Sequence, residues 1–153
     1  MVQQMFSNLV HKGRVIVASL TIVLLLLILI AGSSLSAIFV HADSINGVGV
    51  GIYWDQSCTN KTRSLEWGSI TPGTNTTLTA YVRNERNSEV NLWLSTSNWT
   101  PSSASAFISL SWNYTGQALN IDQVIPVELT LYVSPIITGV ENFQFTTTIT
   151  TTG

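Results

Sequence analysis

Residues Val15 to Val40 contain no charged side chain, and the centre of this run, Val23 to Ile30, is wholly aliphatic. At about 1.5 Å per residue such a run crosses a hydrocarbon layer of roughly 30 Å as a helix. Lys12 and Arg14 precede it, and the next Lys or Arg is Lys61. That bias keeps the N-terminus cytoplasmic and sends the rest of the chain across the membrane. The sequence therefore divides into a cytoplasmic or n-region segment 1–14, an anchor or signal segment 15–42, and an extracytoplasmic domain 43–153 placed at the cell surface or outside the cell.

Three fates are open for the apolar run. As a secretory signal it offers a small-residue cleavage site at Val40-His41-Ala42, just before Asp43. As an uncleaved anchor it fits one span across the membrane through residues 15–40, with Ser33, Ser34 and Ser36 bonding back to helix carbonyls. As a pilin-type leader, Lys12-Gly13 resembles the processing site of archaeal pilins and archaellins, from which Arg14 departs.

All eight acidic residues lie between Asp43 and Glu141, against Lys61, Arg63, Arg83 and Arg86 in the same part, so the outer domain carries a net charge of −4. That sign excludes nucleic acid and anionic lipid as electrostatic partners. Cys58 is the only cysteine, which leaves no intrachain disulfide. It could cross-link two chains, but a free or buried thiol on a loop is the more ordinary role.

Beyond Asp43 the hydrophobic pattern becomes alternation, the signature of half-buried strands. Val48, Val50, Ile52 and Trp54 alternate with Gly47, Gly49 and Gly51 in a first strand with one nearly bare face. A short strand follows around Leu65 to Trp67, then a turn at Thr71-Pro72-Gly73. Leu78, Ala80 and Val82 form the next inward face, and Asn84 to Ser88 is read as a hairpin loop to a strand with Val90, Leu92 and Leu94 inward. Thr100-Pro101-Ser102-Ser103 suits the start of one helical turn. Ile108, Leu110 and Trp112, then Ile125 to Val133, then Phe143, Phe145 and Ile149 supply three further strands. Pro126, near the start of its strand, implies an open edge there. Seven short strands with turn residues between them predict an all-β, seven-stranded β-sandwich of the immunoglobulin-like kind, preceded by one N-terminal apolar helix.

The segments Trp67-Gly68-Ser69-Ile70-Thr71-Pro72-Gly73 and Thr79-Ala80-Tyr81-Val82-Arg83-Asn84, with Tyr53 to Cys58, Leu94 to Pro101 and Ser134 to Val140, form a pattern covering most of Gly47 to Ile149. It resembles a group of uncharacterised archaeal exported proteins with an immunoglobulin-like domain. More distantly it is similar to the sandwich modules of the TasA and camelysin group of filament and matrix proteins. The resemblance implies a surface or filament role. The metallopeptidase label of the camelysin branch does not carry over, because His11 and His41 are the only histidines and both precede the expected sandwich.

No catalytic residue set, metal site or cofactor is expected. Asp55 with Glu66, and Glu85 with Glu89, are the nearest approach to carboxylate pairs, and their spacing suits solvated loop charges. Four N-x-S/T sequons place candidate glycosylation at Asn60, Asn75, Asn98 and Asn113, with Pro101 after Thr100 making Asn98 the poorest acceptor. If the two strands flanking Asn84 to Ser88 pair, Tyr81 lies opposite or diagonal to Trp93, and Tyr132 extends the same outward face. Such a platform would stack on a sugar ring or a neighbouring subunit, or merely shield its own ladder. Val48, Val50 and Ile52 have the pattern of a strand that could complete a neighbour's sheet, giving a homo-oligomer or filament, or could simply be the first strand of its own domain. These features predict a non-enzymatic surface structural or adhesion protein. The alternative is a membrane-tethered module for a surface glycan, a cell-envelope protein or another ligand, with no role for nucleic acid.

Overall fold

The computed structural model describes residues 37–40 and 43–152. The expected N-terminal helix lies outside the described residues. Within them ten strands build two sheets around one hydrophobic core. In the first sheet, β1 (Ile38–Val40) and β2 (Asp43–Val48) follow one another along β10 (Asn142–Thr152), parallel to it, with Phe39 opposite Asn142 and Ser44 opposite Thr146. Their other side is covered by the short antiparallel strands β4 (Ser64–Leu65) against β2 and β5 (Ser69–Ile70) against β1. β7 (Asn91–Thr100) runs antiparallel along the remaining edge of β10. The second sheet is antiparallel throughout, in the order β3 (Val50–Tyr53), β6 (Asn75–Asn84), β9 (Val124–Val133), β8 (Ile108–Trp112).

The alternation in the sequence sets the core. Ile125, Val127, Leu129, Leu131 and Val133 of β9 are buried, as are Ala80 and Val82 of β6 and Phe143, Phe145 and Ile149 of β10. These positions share one side of each strand because the side-chain period is two. β7 would lose this phase near its end, but its pairing with β10 shifts by one residue between Ser97–Thr146 and Thr100–Gln144. Asn98, at φ +54°, is the extra residue. The shift turns Trp99 inward, where its ring stacks on Phe145 with centroids 4.3 Å apart. Pro126 sits where β8 has already ended, on the open edge its missing N–H requires.

The seven expected strands become ten for identifiable reasons. The sandwich begins at Ile38, five residues before the expected boundary at Asp43, because Ile38–Val40 belong to the first sheet although they read as the tail of the apolar run. His41 therefore falls between two strands of the sandwich and not ahead of it; its placement lies outside the described residues. The expected strand from Gly47 to Trp54 is broken at Gly49, whose φ of +79° passes the chain from the first sheet to the second. Val48 consequently does not share a face with Val50 and Ile52: it is 55% exposed, and they are buried. The short strand around Leu65 to Trp67 resolves into β4 and β5.

Asn84 to Ser88 is likewise no hairpin loop, since β6 and β7 lie in different sheets. The crossover is held by the buried Asn84 side chain. Its Nδ2 donates to the carbonyls of Ser88 (2.8 Å), Leu119 (3.1 Å) and Asn120 (3.1 Å), and its Oδ1 accepts the Arg86 N–H at 2.9 Å. One amide thus joins two loops that have no ladder of their own beyond the Val90–Leu119 bridge. Asn84→Ala strands these backbone groups in a buried place and should lower the unfolding free energy by about 2–3 kcal/mol in chemical denaturation; a change within experimental error would show that water replaces the amide.

Candidate functional site

Tyr81, Trp93 and Tyr132 do not form a platform. Tyr81 faces Tyr53 and Pro126 across the second sheet, and Tyr132 faces Asn75 and Ser109 in the same sheet. Pro126 and Tyr132 are six positions apart on β9, so the two tyrosines stand about 20 Å apart along the strand. Trp93 belongs to the other sheet, opposite Thr150, and is 65% exposed. What the fold does bring together is Trp93 and Val48, which flank Thr150 from its two sides.

Those two residues end a face of hydroxyls and amides. Ser44, Thr146 and Ser97 line up across β2, β10 and β7, followed by Asn46, Thr148 and Ser95. Ser44 Oγ donates to Thr146 Oγ1 at 3.0 Å, and Asn98 Nδ2 donates to the same oxygen at 3.3 Å. None of these positions is charged. The four sequon asparagines are all exposed: Asn60 in a loop, Asn75 at the start of β6, Asn98 in the β7 bulge and Asn113 just after β8.

The glycine-faced strand is filled by its own chain. A side chain at Gly51 would meet the Glu85 carboxylate and the Tyr53 ring, so that face holds no room for a neighbour. Tyr53 donates its hydroxyl to Glu85 at 2.7 Å, and Lys61 Nζ lies 3.1 Å from the same carboxylate and 5.6 Å from the Tyr53 ring centre. The Glu85 hydrogen bond pushes the Tyr53 hydroxyl up to about 12, and Glu85 is held below its ordinary range chiefly by that hydroxyl. Arg83 pairs with Asp122 at 2.6 Å. Asp55 accepts the Ser57 and Thr59 hydroxyls and the Thr59 and Asn60 N–H groups, which fixes its loop and holds it well below the carboxylate range. Cys58, at φ +56° in that loop, is a free thiol raised by burial, so it stays protonated and weakly nucleophilic near neutrality. Among the described residues no group of three or more His, Cys, Asp or Glu is placed to hold a metal ion. No family model, curated protein or solved structure matches the chain.

Asp43, which the sequence marks only as the residue after a cleavage site, is fully buried in β2. Its Oδ1 accepts the Phe145 N–H at 2.8 Å, while Oδ2 and the nearby buried Trp67 Nε1 have no hydrogen-bond partner among the described residues. Burial raises its pKa to about 7, against the opposing pull of the Phe145 N–H. The folded state therefore holds a proton that the unfolded chain releases near pH 4. Stability should fall as pH rises through that window, by up to about 4 kcal/mol in all. Asp55 and Glu85 act in the opposite sense and only at lower pH, so the Asp43 slope is read between about pH 5 and pH 8. Asp43→Asn should flatten the profile in urea unfolding; a parent protein equally stable at both ends would show that Asp43 is ionised in the fold.

The separation of the aromatics is directly measurable. A double-mutant cycle of Tyr81→Ala and Trp93→Ala should be additive within about 0.5 kcal/mol, whereas coupling well beyond that would require the two rings to touch.

Proposed function

We propose that the chain is a non-enzymatic cell-surface protein, an immunoglobulin-like sandwich held at the outer face of a membrane by its N-terminal apolar run and used in envelope structure or adhesion. The observation that carries this reading is the position of β1 and β2. They continue directly from the apolar run, lie inside the first sheet, and pair on both sides, with β10 on one and with β4 and β5 on the other. A pull on such an anchor is spread along β10 as shear across a ladder. Cleavage at Ala42 would instead separate β1 from β2 and strip Ile38 from the core. If subunits join by strand exchange into a filament, Ile38–Val48 is the segment to exchange, because Val50 and Ile52 belong to the second sheet.

Trp93 beside the uncharged hydroxyl face favours the second reading, a tethered module for a neutral surface glycan, through stacking and hydroxyl hydrogen bonds. The exposed positions of Asn60, Asn75, Asn98 and Asn113 suit glycosylation, with Pro101 still disfavouring Asn98.

N-terminal sequencing of the native protein should find a first residue upstream of Ile38. A chain starting at Asp43 should lose at least about 2 kcal/mol of stability from Ile38 alone. A native start at Asp43 would overturn the anchored reading.

A further inference from the structure

The two ends of the sandwich differ in character. At one end stand Arg83 near the end of β6, Glu85, Arg86 and Glu89 in the β6–β7 crossover, and Asp122 in the loop before β9. At the other end, three connections meet: the turn from β5 to β6, the segment from β7 to β8 and the loop from β9 to β10. Gly73 N–H bonds Val133 O at 2.8 Å, Ser134 N–H bonds Phe107 O at 2.8 Å, and Phe39 N–H bonds Glu141 O at 3.0 Å, which ties them to one another and to the start of β1. Residues 71–74, 101–107 and 134–140 contain no charged side chain; the one charge these connections bring to this end is the exposed Glu141, where the loop enters β10, so the end is uncharged but for one carboxylate at its margin. Ile136 at the tip is 72% exposed, and Phe39 beside β10 is 60% exposed. Single exposed apolar side chains are ordinary on any surface; what sets this end apart is that the chain enters the fold here.

The chain itself identifies the partner. Ile38 is already paired with Ile70, so no linker separates the sandwich from the apolar run. Val15 to Ala37 provide 23 residues, of which a span needs about 20. The three left over reach about 10 Å even when fully extended, against a headgroup layer roughly 5–7 Å thick. β1 then runs away from this end, so this is the end by which the chain enters the fold.

We propose that the uncharged end of the sandwich rests on the lipid headgroup layer of the membrane from which the chain emerges, with Ile136 entering the interface and Phe39 lying alongside it. The proposal rests on the anchored reading above. The contact is apolar and needs no anionic lipid, in keeping with a domain of net negative charge. It fixes the orientation of the domain: the charged end points outward, and the hydroxyl face with Trp93 stands upright, accessible from the side.

The test uses the full chain in phosphatidylcholine vesicles, with Cys58→Ser as background and a single environment-sensitive label at Ile136→Cys or at Ile121→Cys. Ile121 is an equally apolar, 57% exposed residue at the charged end. Both positions are exposed enough to take a label without disturbing the core. With acyl chains brominated near the headgroup, the label at 136 should be quenched several-fold more than the label at 121. Equal quenching, with the protein still floating with the vesicles, would overturn the membrane contact and leave the anchor standing. Failure to float with the vesicles would overturn the anchor and the contact with it.

Discussion

The fold depends on the hydrogen-bond ladders on the two sides of β10. On one side it meets β1 and β2 in parallel, and on the other β7 in antiparallel register, so nearly every other contact of the first sheet is arranged around it. The parallel pairing joins residues about a hundred positions apart, Phe39 with Asn142 and Val48 with Thr150. Closing so long a loop costs chain entropy before any contact offsets it. The first sheet therefore cannot complete itself until the C-terminal strand is in place. The second sheet, built from β3, β6, β9 and β8, has no such dependence on the first few residues. The connection to the apolar run and the longest loop closure of the first sheet thus fall on the same ladder.

The parts of this architecture that could be read from the sequence are those where one face is buried and the other wet. β6, β8, β9 and β10 alternate apolar and polar residues, and their inward sets were legible one by one. β1 was not, because Ile38–Val40 continue an apolar stretch that has no period of its own, and the exposed Phe39 between Ile38 and Val40 is itself apolar, so no alternation marks the strand. The alternation of Val48, Val50 and Ile52 misleads for a different reason. A glycine at positive φ reverses the phase, and nothing in a Gly-Val repeat shows which glycine does so. The turn chemistry of Asn84 to Ser88 is equally ambiguous, since Asn and Ser satisfy backbone groups in a hairpin and in a crossover alike.

The same distinction governs the candidate sites. Exposure of the sequon asparagines follows from their polarity and from neighbouring turn residues, so it is local information. Whether Tyr81 meets Trp93 depends on which sheet each strand joins, which is not local, and the answer separates them by the thickness of the sandwich. The uncharged end was invisible for the same reason: residues 71–74, 101–107 and 134–140 are dispersed in sequence and only the topology gathers them.

Asp43 shows how the ladder on β10 and the chemistry of the domain are linked. The parallel register slips by one residue between the Val40–Phe143 and Ser44–Thr146 pairs, and the antiparallel register slips across the same stretch of β10. Phe145, caught between the two irregularities, has its N–H satisfied by the Asp43 carboxyl. A buried N–H without an acceptor costs about 1–3 kcal/mol, so some acceptor is needed at this point. A carboxylate would satisfy it at the price of a buried charge, and protonation removes that charge while leaving Oδ1 free to accept. The neutral acid is thus the form that fits the break in the ladder. The irregularity in strand pairing, with the Trp99–Phe145 stack on one side and the N-terminal strand on the other, thus sets a carboxyl where burial raises its pKa.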